Sequence, residues 1–558
     1  MASTKLTRTP SGAGNKKTFT WSGWVKRSGL GAIQGLFTVD TGSGESAFGF
    51  LADDTLRLYL NIASNYPTIV TNQVFRDTSA WYHIAFAVDT TQSTEADRVK
   101  IYVNGSQVTS FSSASYPTQN ADTDFNTTNP HEIGFYSNQT GGAGYFDGQL
   151  AHVHFTDGYA YAASSFGSTA TNGQWVPNLN PSVTYGTNGY FLKFTNASDL
   201  GEDFSGNNND FTKTGSGDKV SDSPENVYCT LNPLFNYPLT VGDKSTLTKG
   251  NLESTSPGEN EETGGTLGVG AGKWYFEVRA GNNVTTSSSD GVGFYVNQQA
   301  YEPPNNLKEL IYRTDGNFRY NGSQGAYGAT WTSGDIIGIA LDITNTSITF
   351  YKNGTTQGVA KSDIPAGTYL PFILNRGNNT TLNSNFGQDG TFGGNVTAQG
   401  NSDANGEGDF YYSVPTGFLA LCSNNLSSSL TQPIGKGSSY FNTVIWTGNG
   451  ADNRSITGVG FQPDTVWYKE RNSAVSHRWV DAVRGIGKEL YVDLSNAEYS
   501  ASNELQAYES DGFQIGSDGS INGNNDTVYF STEKDTMGTG SGSQNPSIVF
   551  TDEGSGVV

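Results

Sequence analysis

IAFAVDTTQSTEADRVKIYVNGSQV, Ile84–Val108, decides the fold, and its pattern returns at Ile337–Val359 as IGIALDITNTSITFYKNGTTQGV. In each copy an apolar run closes on an aspartate, a polar spacer follows, and an alternating run ends on Asn-Gly. Asn-Gly between alternating runs predicts a type I′ hairpin, because both central residues of that turn need positive φ. On the strand period of two, Val99, Ile101 and Val103 share one face, with Lys100 and Tyr102 opposite. Ile348 and Phe350 likewise share a face, with Thr349 and Tyr351 opposite. The turns are expected at Asn104-Gly105 and Asn353-Gly354. Such hairpins define an architecture and carry no chemistry of their own.

Working outward, 558 residues imply three or four domains. Seventy glycines, 12% aromatic residues and 15% charged residues describe a turn-rich all-β chain. The best helical stretch, Val480–Leu494, is broken by Gly485 and Gly487 and leaves room for a short helix at most. A formal charge of −22 opposes phosphate, and the basic clusters are short (Lys16-Lys17, Lys26-Arg27, Arg471 with Arg478), so no nucleic-acid partner is expected. In a saline medium the acidic self-repulsion is screened over about 3 Å at 1 M salt. Cys229 and Cys422 give neither a disulfide framework nor zinc spacing, which fits assembly in a reducing cytoplasm. No apolar run reaches membrane-span length, so no membrane insertion is expected, and MASTKLTRTPSGAGNKK lacks the apolar core of a secretory signal. If the protein acts outside a cell, the expected exit is not ordinary secretion.

Three blocks follow. Residues 1–218 hold strand-like runs such as FTWSGWVKR (Phe19–Arg27), SAFGFLADDTLRLYL (Ser46–Leu60), WYHIAFAVD, VKIYVNG, EIGFY (Glu132–Tyr136), FDGQLAHVHF (Phe146–Phe155) and YFLKF (Tyr190–Phe194), split by Gly-rich turns. The succession WSGWVKR, WYHIAFAVD, KIYVNG, FDGQLAHVHF resembles a concanavalin A-like, laminin-G-type jelly roll. A polar, Pro-containing linker is expected at 219–232. In 233–430, KWYFEVRAG, GVGFY, GDIIGIALD, ITFYKNG and YLPFILN resemble the strand order of a SPRY domain, also a two-sheet jelly roll. Residues 438–535 form a β-rich C-terminal domain whose GVGFQPDTVWYKER resembles a module that follows SPRY-like domains in structural proteins of marine phages. A Gly/Ser-rich tail fills 536–558. The opening LTRTPSGAGNKKTFTWSGWVKR is similar to laminin-G-like proteins of tailed phages of marine bacteria and cyanobacteria.

Jelly rolls include glucanases, which resemble one another in a Glu-x-Asp-x-x-Glu strand that sets paired carboxylates on one face. No such run occurs here: Glu509-Ser510-Asp511 has Gln514 where the second Glu belongs, and Asp53-Asp54 would point to opposite faces of a strand. No catalytic residue is assigned. His152 and His154 share a face on the strand period, alternating with Val153 and Phe155, and are read as sandwich residues rather than metal ligands. Asp518, Asn522, Asn524 and Asp526 alternate like oxygen ligands of a calcium loop, but Tyr529 replaces the closing Glu, so the stretch is read as a turn. No metal or cofactor is assigned; the laminin-G resemblance leaves a rim Ca²⁺ open. Aromatic rings beside amide-rich loops stack on sugars, which nominates Tyr66 in NIASNYP and Tyr301 in QQAYEPP as ligand-binding residues.

The resemblances imply a virion protein of a tailed phage, a tail-fibre or appendage protein that recognises a host-surface glycan or receptor without catalysis. Its expected partners are other virion proteins and further copies of itself, as a trimer, assembled in the host cytoplasm. A capsid-decorating or connector protein is one alternative; a polysaccharide depolymerase is another.

Overall fold

The computed structural model describes residues 4–42, 44–62, 65–136, 144–170, 173–235, 245–258, 261–297, 309–427, 441–524 and 527–533. Both Asn-Gly turns form as expected. Asn104 and Gly105 take φ of 46° and 83°, and Asn353 and Gly354 take 49° and 76°. Each asparagine also ties its turn to an adjacent strand. Asn104 Oδ1 accepts from the His83 N–H at 2.8 Å while its own N–H donates to the His83 carbonyl at 2.8 Å. Asn353 makes the same two bonds with Ile336, both at 2.8 Å.

The first sandwich packs an eight-stranded sheet on a six-stranded one. In the larger sheet Phe111–Ala114, Thr68–Val74, Thr55–Tyr59, Glu45–Phe50, Gln34–Asp40, His131–Ile133, Lys5–Arg8 and Thr212–Thr214 lie side by side in that order. In the smaller the order is Tyr190–Leu192, Gly148–Asp157, Thr18–Arg27, Tyr82–Asp89, Val99–Val103 and Ser106–Gln107. Alternate residues of both sheets, among them Trp21, Phe37, Phe48, Leu58, Phe86, Ile101 and Val153, form one core. The run Ser46–Leu60 is two strands rather than one. Asp54, at φ 68°, turns the chain between them, and its buried carboxylate accepts from Gly31 N, Arg27 and Arg76 at 2.9–3.0 Å.

The histidine pair departs from simple alternation. A bulge interrupts the register between Ala151 and His154, with His152 at φ 47°. His152 Nε2 meets Glu225 at 2.5 Å, whereas His154 Nδ1 meets the Tyr185 hydroxyl at 3.0 Å. Val153 and Phe155 enter the core.

The second sandwich repeats the plan. Thr246–Thr248, Glu253–Thr255, Thr381–Asn385, Lys273–Ala280, Ile336–Asp342, Ser347–Lys352 and Thr355–Ser362 form one sheet, with Leu419–Ala420 parallel to Lys273–Ala280. Glu261–Gly264, Thr368–Asn375, Gly291–Asn297, Glu309–Arg313, Asn317–Tyr320 and Ser323–Ala326 form the other. Trp274, Phe276, Phe294, Tyr312, Ile339 and Phe350 fill the space between.

The segment expected as an exposed linker, 219–232, is packed instead. Asp222 and Lys26 form a buried ion pair at 2.7 Å, their side chains 0% and 2% exposed. Trp81 Nε1 donates to the same carboxylate at 3.2 Å, and Lys26 Nζ also reaches the Tyr228 carbonyl at 3.4 Å. Cys229 and Leu231 belong to the second core, so the second sandwich begins inside the segment. Burying a lone lysine would be costly, and the connector supplies the carboxylate that makes it tolerable. Residues 1–170 and 175–431 accordingly cluster as one compact unit.

The third domain belongs to a second unit. Phe441–Thr447, Thr527–Glu533, Thr465–Glu470, Arg478–Asp481, Lys488–Tyr491 and Tyr499–Ser500 form its main sheet; Arg454–Thr457, Gly512–Ile515 and Leu505–Glu509 form a smaller one. Val466, Tyr468, Val480, Ile456, Phe513 and Ile515 pack between them. Strands occupy the stretch that left room for a short helix, and the chain reverses where Gly485 and Gly487 take φ of 94° and 70°.

Candidate ligand-binding surface

Tyr66 sits on the loop between Thr55–Tyr59 and Thr68–Val74. Asn65 Oδ1 accepts its N–H at 3.1 Å, and the Thr68 hydroxyl donates to its carbonyl at 3.0 Å. With Leu60 N–H bonded to the Pro67 carbonyl at 2.9 Å, the loop holds the ring out, 54% of the residue exposed. The ring lies over Tyr59, centroids 5.9 Å apart and planes 7° from parallel. Tyr59 and Arg57 share the outer face of their strand because Leu56 and Leu58 point into the core. The neighbouring strand opposes them with Ala47 and Gly49, small residues that let the long side chains lie along the sheet.

Arg57 continues the row. Its guanidinium stands 5.6 Å from the Tyr59 ring centre and 5.4 Å from that of Tyr136, and it donates to the Tyr136 hydroxyl. Burial raises the pKa of both Tyr59 and Tyr136, so both phenols stay neutral at physiological pH. The result is a row Tyr66–Tyr59–Arg57–Tyr136, with an exposed stacked ring at one end and a cation between rings. Such a row offers a flat π-face to the C–H side of a sugar and a guanidinium to its hydroxyls or carboxylate. Sequence reasoning found Tyr66 from its loop. It missed Tyr59 and Arg57, whose signal was the alternation of TLRLY itself.

The other nominated positions fare differently. Tyr301 lies outside the described residues, as does Asp526. Asp518 caps a short helical turn, Gly519–Asn522, accepting from Ser520 N at 2.8 Å and from its hydroxyl at 2.6 Å. The Asn522 side-chain oxygen, buried, accepts from Asn449 N at 3.1 Å and Arg454 at 2.9 Å, while its amide nitrogen donates to Ala451 and Gly516 carbonyls. Asn524 is exposed. Asp518 is thus engaged with its own turn, and Asn522 ties that turn to Asn449 and Arg454. Among the described residues no three His, Cys, Asp or Glu side chains group as metal ligands.

A carboxyl pair that sequence reasoning missed lies in the third domain. Tyr468 Oη is 2.7 Å from Glu489 and 2.8 Å from Glu504, and Arg478 donates to them at 2.9 and 2.5 Å. One hydroxyl hydrogen cannot satisfy both contacts, so one carboxyl must supply a proton. Burial, then the neighbouring Glu489, pushes Glu504 up to about 8. Tyr468, Glu489 and Glu504 are all closed to solvent, which makes this a structural proton-sharing pair. Fifteen residues separate the two glutamates on non-adjacent segments, so no local spacing announces them. No helix among the described residues is long and apolar enough to cross a membrane.

Comparison with known proteins agrees with these domains. Residues 2–164 match a laminin-G-type family of the concanavalin A-like lectin/glucanases superfamily, 273–389 match the SPRY domain, and 436–550 match a domain of unknown function. A Ran-binding proteins 9/10 homolog of Drosophila melanogaster is 30% identical over 124 residues, covering 21% of this chain and 12% of its own length. Ran-binding protein 9 of Homo sapiens is 28% identical over 128 residues, covering 21% of this chain and 16% of its own. The chain thus spans less than a fifth of these two relatives. The crystal structure of the SPRY domain of human HERC1 aligns at 21% identity with a TM-score of 0.22, covering 25% of this chain and 91% of that one. The protein is an all-β chain whose laminin-G-like and SPRY domains are of the binding and adhesion type.

Proposed function

We propose that this chain is a non-enzymatic recognition protein, a tail-fibre or appendage component of a phage virion that holds a host-surface glycan on its first sandwich. Exposed Tyr66, stacked on half-buried Tyr59 with Arg57 beside it, carries the reading, because it joins an aromatic platform to a fixed cation on one sheet. The matched domain types and the resemblance of the chain's opening to phage laminin-G-like proteins support it. Single-site affinity is weak in this account, and adhesion comes from several copies engaging together.

Retention of the purified chain on susceptible cells tests the reading. Tyr66→Ala should weaken retention by about tenfold or more, the loss of one stacking contact of 1–3 kcal/mol scale repeated across copies. Undiminished retention by Tyr66→Ala would remove the site. No retention of the wild type would favour the capsid or connector role.

A further inference from the structure

The strand Thr18–Arg27 alternates its faces. Val25 enters the core of the first sandwich, so Trp24 and Lys26 emerge on the outer face of the smaller sheet. There Trp24 packs with Trp81 and Ala151, and Val227 of the connector lies against them. The Lys26 amine is thereby closed off from water against a carboxyl group 196 residues away in sequence.

The two oxygens of that carboxyl are held unequally. Asp222 Oδ1 accepts two N–H groups, from Trp81 Nε1 at 3.2 Å and from the Tyr228 backbone at 3.3 Å. Oδ2 meets Lys26 Nζ at 2.7 Å. An ammonium has three hydrogens to donate. Among the described residues this one finds two acceptors, Oδ2 and the Tyr228 carbonyl at 3.4 Å. An amide joining the two side chains has simpler needs, one acceptor for its N–H and donors for its carbonyl oxygen. The Tyr228 carbonyl supplies the first, and the Trp81 and Tyr228 N–H groups supply the second. Oδ2, the oxygen bonded to Lys26 alone, is the atom that an amide would lose.

We propose that Lys26 and Asp222 join through a side-chain amide, Nζ to Cγ, formed by the folded chain itself. In the closed site a proton passes from Nζ to Oδ2, which removes both charges from a medium that solvates ions poorly. The neutral amine then attacks Cγ, and the negative charge develops on Oδ1, where the Trp81 and Tyr228 N–H groups already point. A second proton passes from nitrogen to Oδ2, the Cγ–Oδ2 bond breaks, water leaves, and the carbonyl reforms on Oδ1. One ammonium and one carboxylate become one amide and one water, with no oxidant, metal or cofactor and no change in net charge. Cys229 and Cys422 are both free and buried, so the chain carries no disulfide. The amide staples the first sandwich to the connector without thiols and holds under reducing conditions. The inference stands apart from the glycan site and does not depend on it.

Mass spectrometry of the intact, denatured chain tests it. The wild type should be lighter than its sequence by one water, and digestion should yield a branched peptide carrying both Lys26 and Asp222. Asp222→Ala, which lacks the carboxyl, and Lys26→Arg, which keeps the charge but not the amine, should each show full mass and linear peptides. The wild-type measurement is decisive even where a variant fails to fold. Full mass in the wild type, with Lys26 and Asp222 in separate linear peptides, would leave the contact an ion pair and overturn the proposal. So would a water lost at another residue, or one still lost in Asp222→Ala.

Discussion

At the scale of residues, Asn-Gly does more than reverse the chain. The glycine accepts the positive φ and the asparagine locks the turn to an adjacent strand, in both sandwiches alike. Gly105→Val and Gly354→Val should each cost about 1–3 kcal/mol from backbone strain alone. Each new Cβ would also press on a ring, Trp175 at 2.6 Å and Tyr412 at 2.8 Å. Denaturant midpoints check this; unchanged melting of either variant would contradict the turn assignment. Glu504 gives a pH dependence of defined sign. Its folded value, about 8, lies above the ordinary ~4.3 of glutamate, so between the two the folded chain holds a proton that the unfolded chain has released. Stability from this group is full below the ordinary value and is lost as pH rises through 8. Glu504→Gln should flatten that fall for the third domain, measured as unfolding midpoints across pH; an unaltered slope would mean that the proton sits elsewhere.

At the scale of elements, the connector is what couples the two sandwiches. Lys26→Met leaves Asp222 as a buried, uncompensated carboxylate and should destabilise the unit by about 3–5 kcal/mol. Lys26→Met with Asp222→Leu should recover much of that, since an apolar pair of similar volume replaces both charges. Calorimetry of the single and double variants decides it. Limited proteolysis should fail to release the first two sandwiches as separate pieces, because the connector's polar groups are bonded inside. Much of the architecture was legible: the Asn-Gly hairpins, the alternating runs and the order of blocks follow from local spacing. The connector was not. Its polar, Pro-containing composition reads as a linker, and the partner that buries Asp222 lies 196 residues away. The same holds at the candidate site, where Tyr66 was visible as a loop aromatic but its contact with Tyr59 depends on how one loop folds back over its own strand.

At the scale of the whole molecule, the proposed function rests on the first sandwich. The first sandwich presents a cation and stacked rings on the outer face of its larger sheet. On the proposed reading, weak contacts there become useful adhesion only when several copies engage together, which makes avidity, not single-site affinity, the working quantity. The central claim is recognition without cleavage. It is tested most directly by titrating the intact chain with host-surface polysaccharide while sizing the polymer throughout. Recognition without cleavage predicts saturable binding that Tyr66→Ala weakens, with polymer length unchanged; release of shortened oligosaccharides would contradict it.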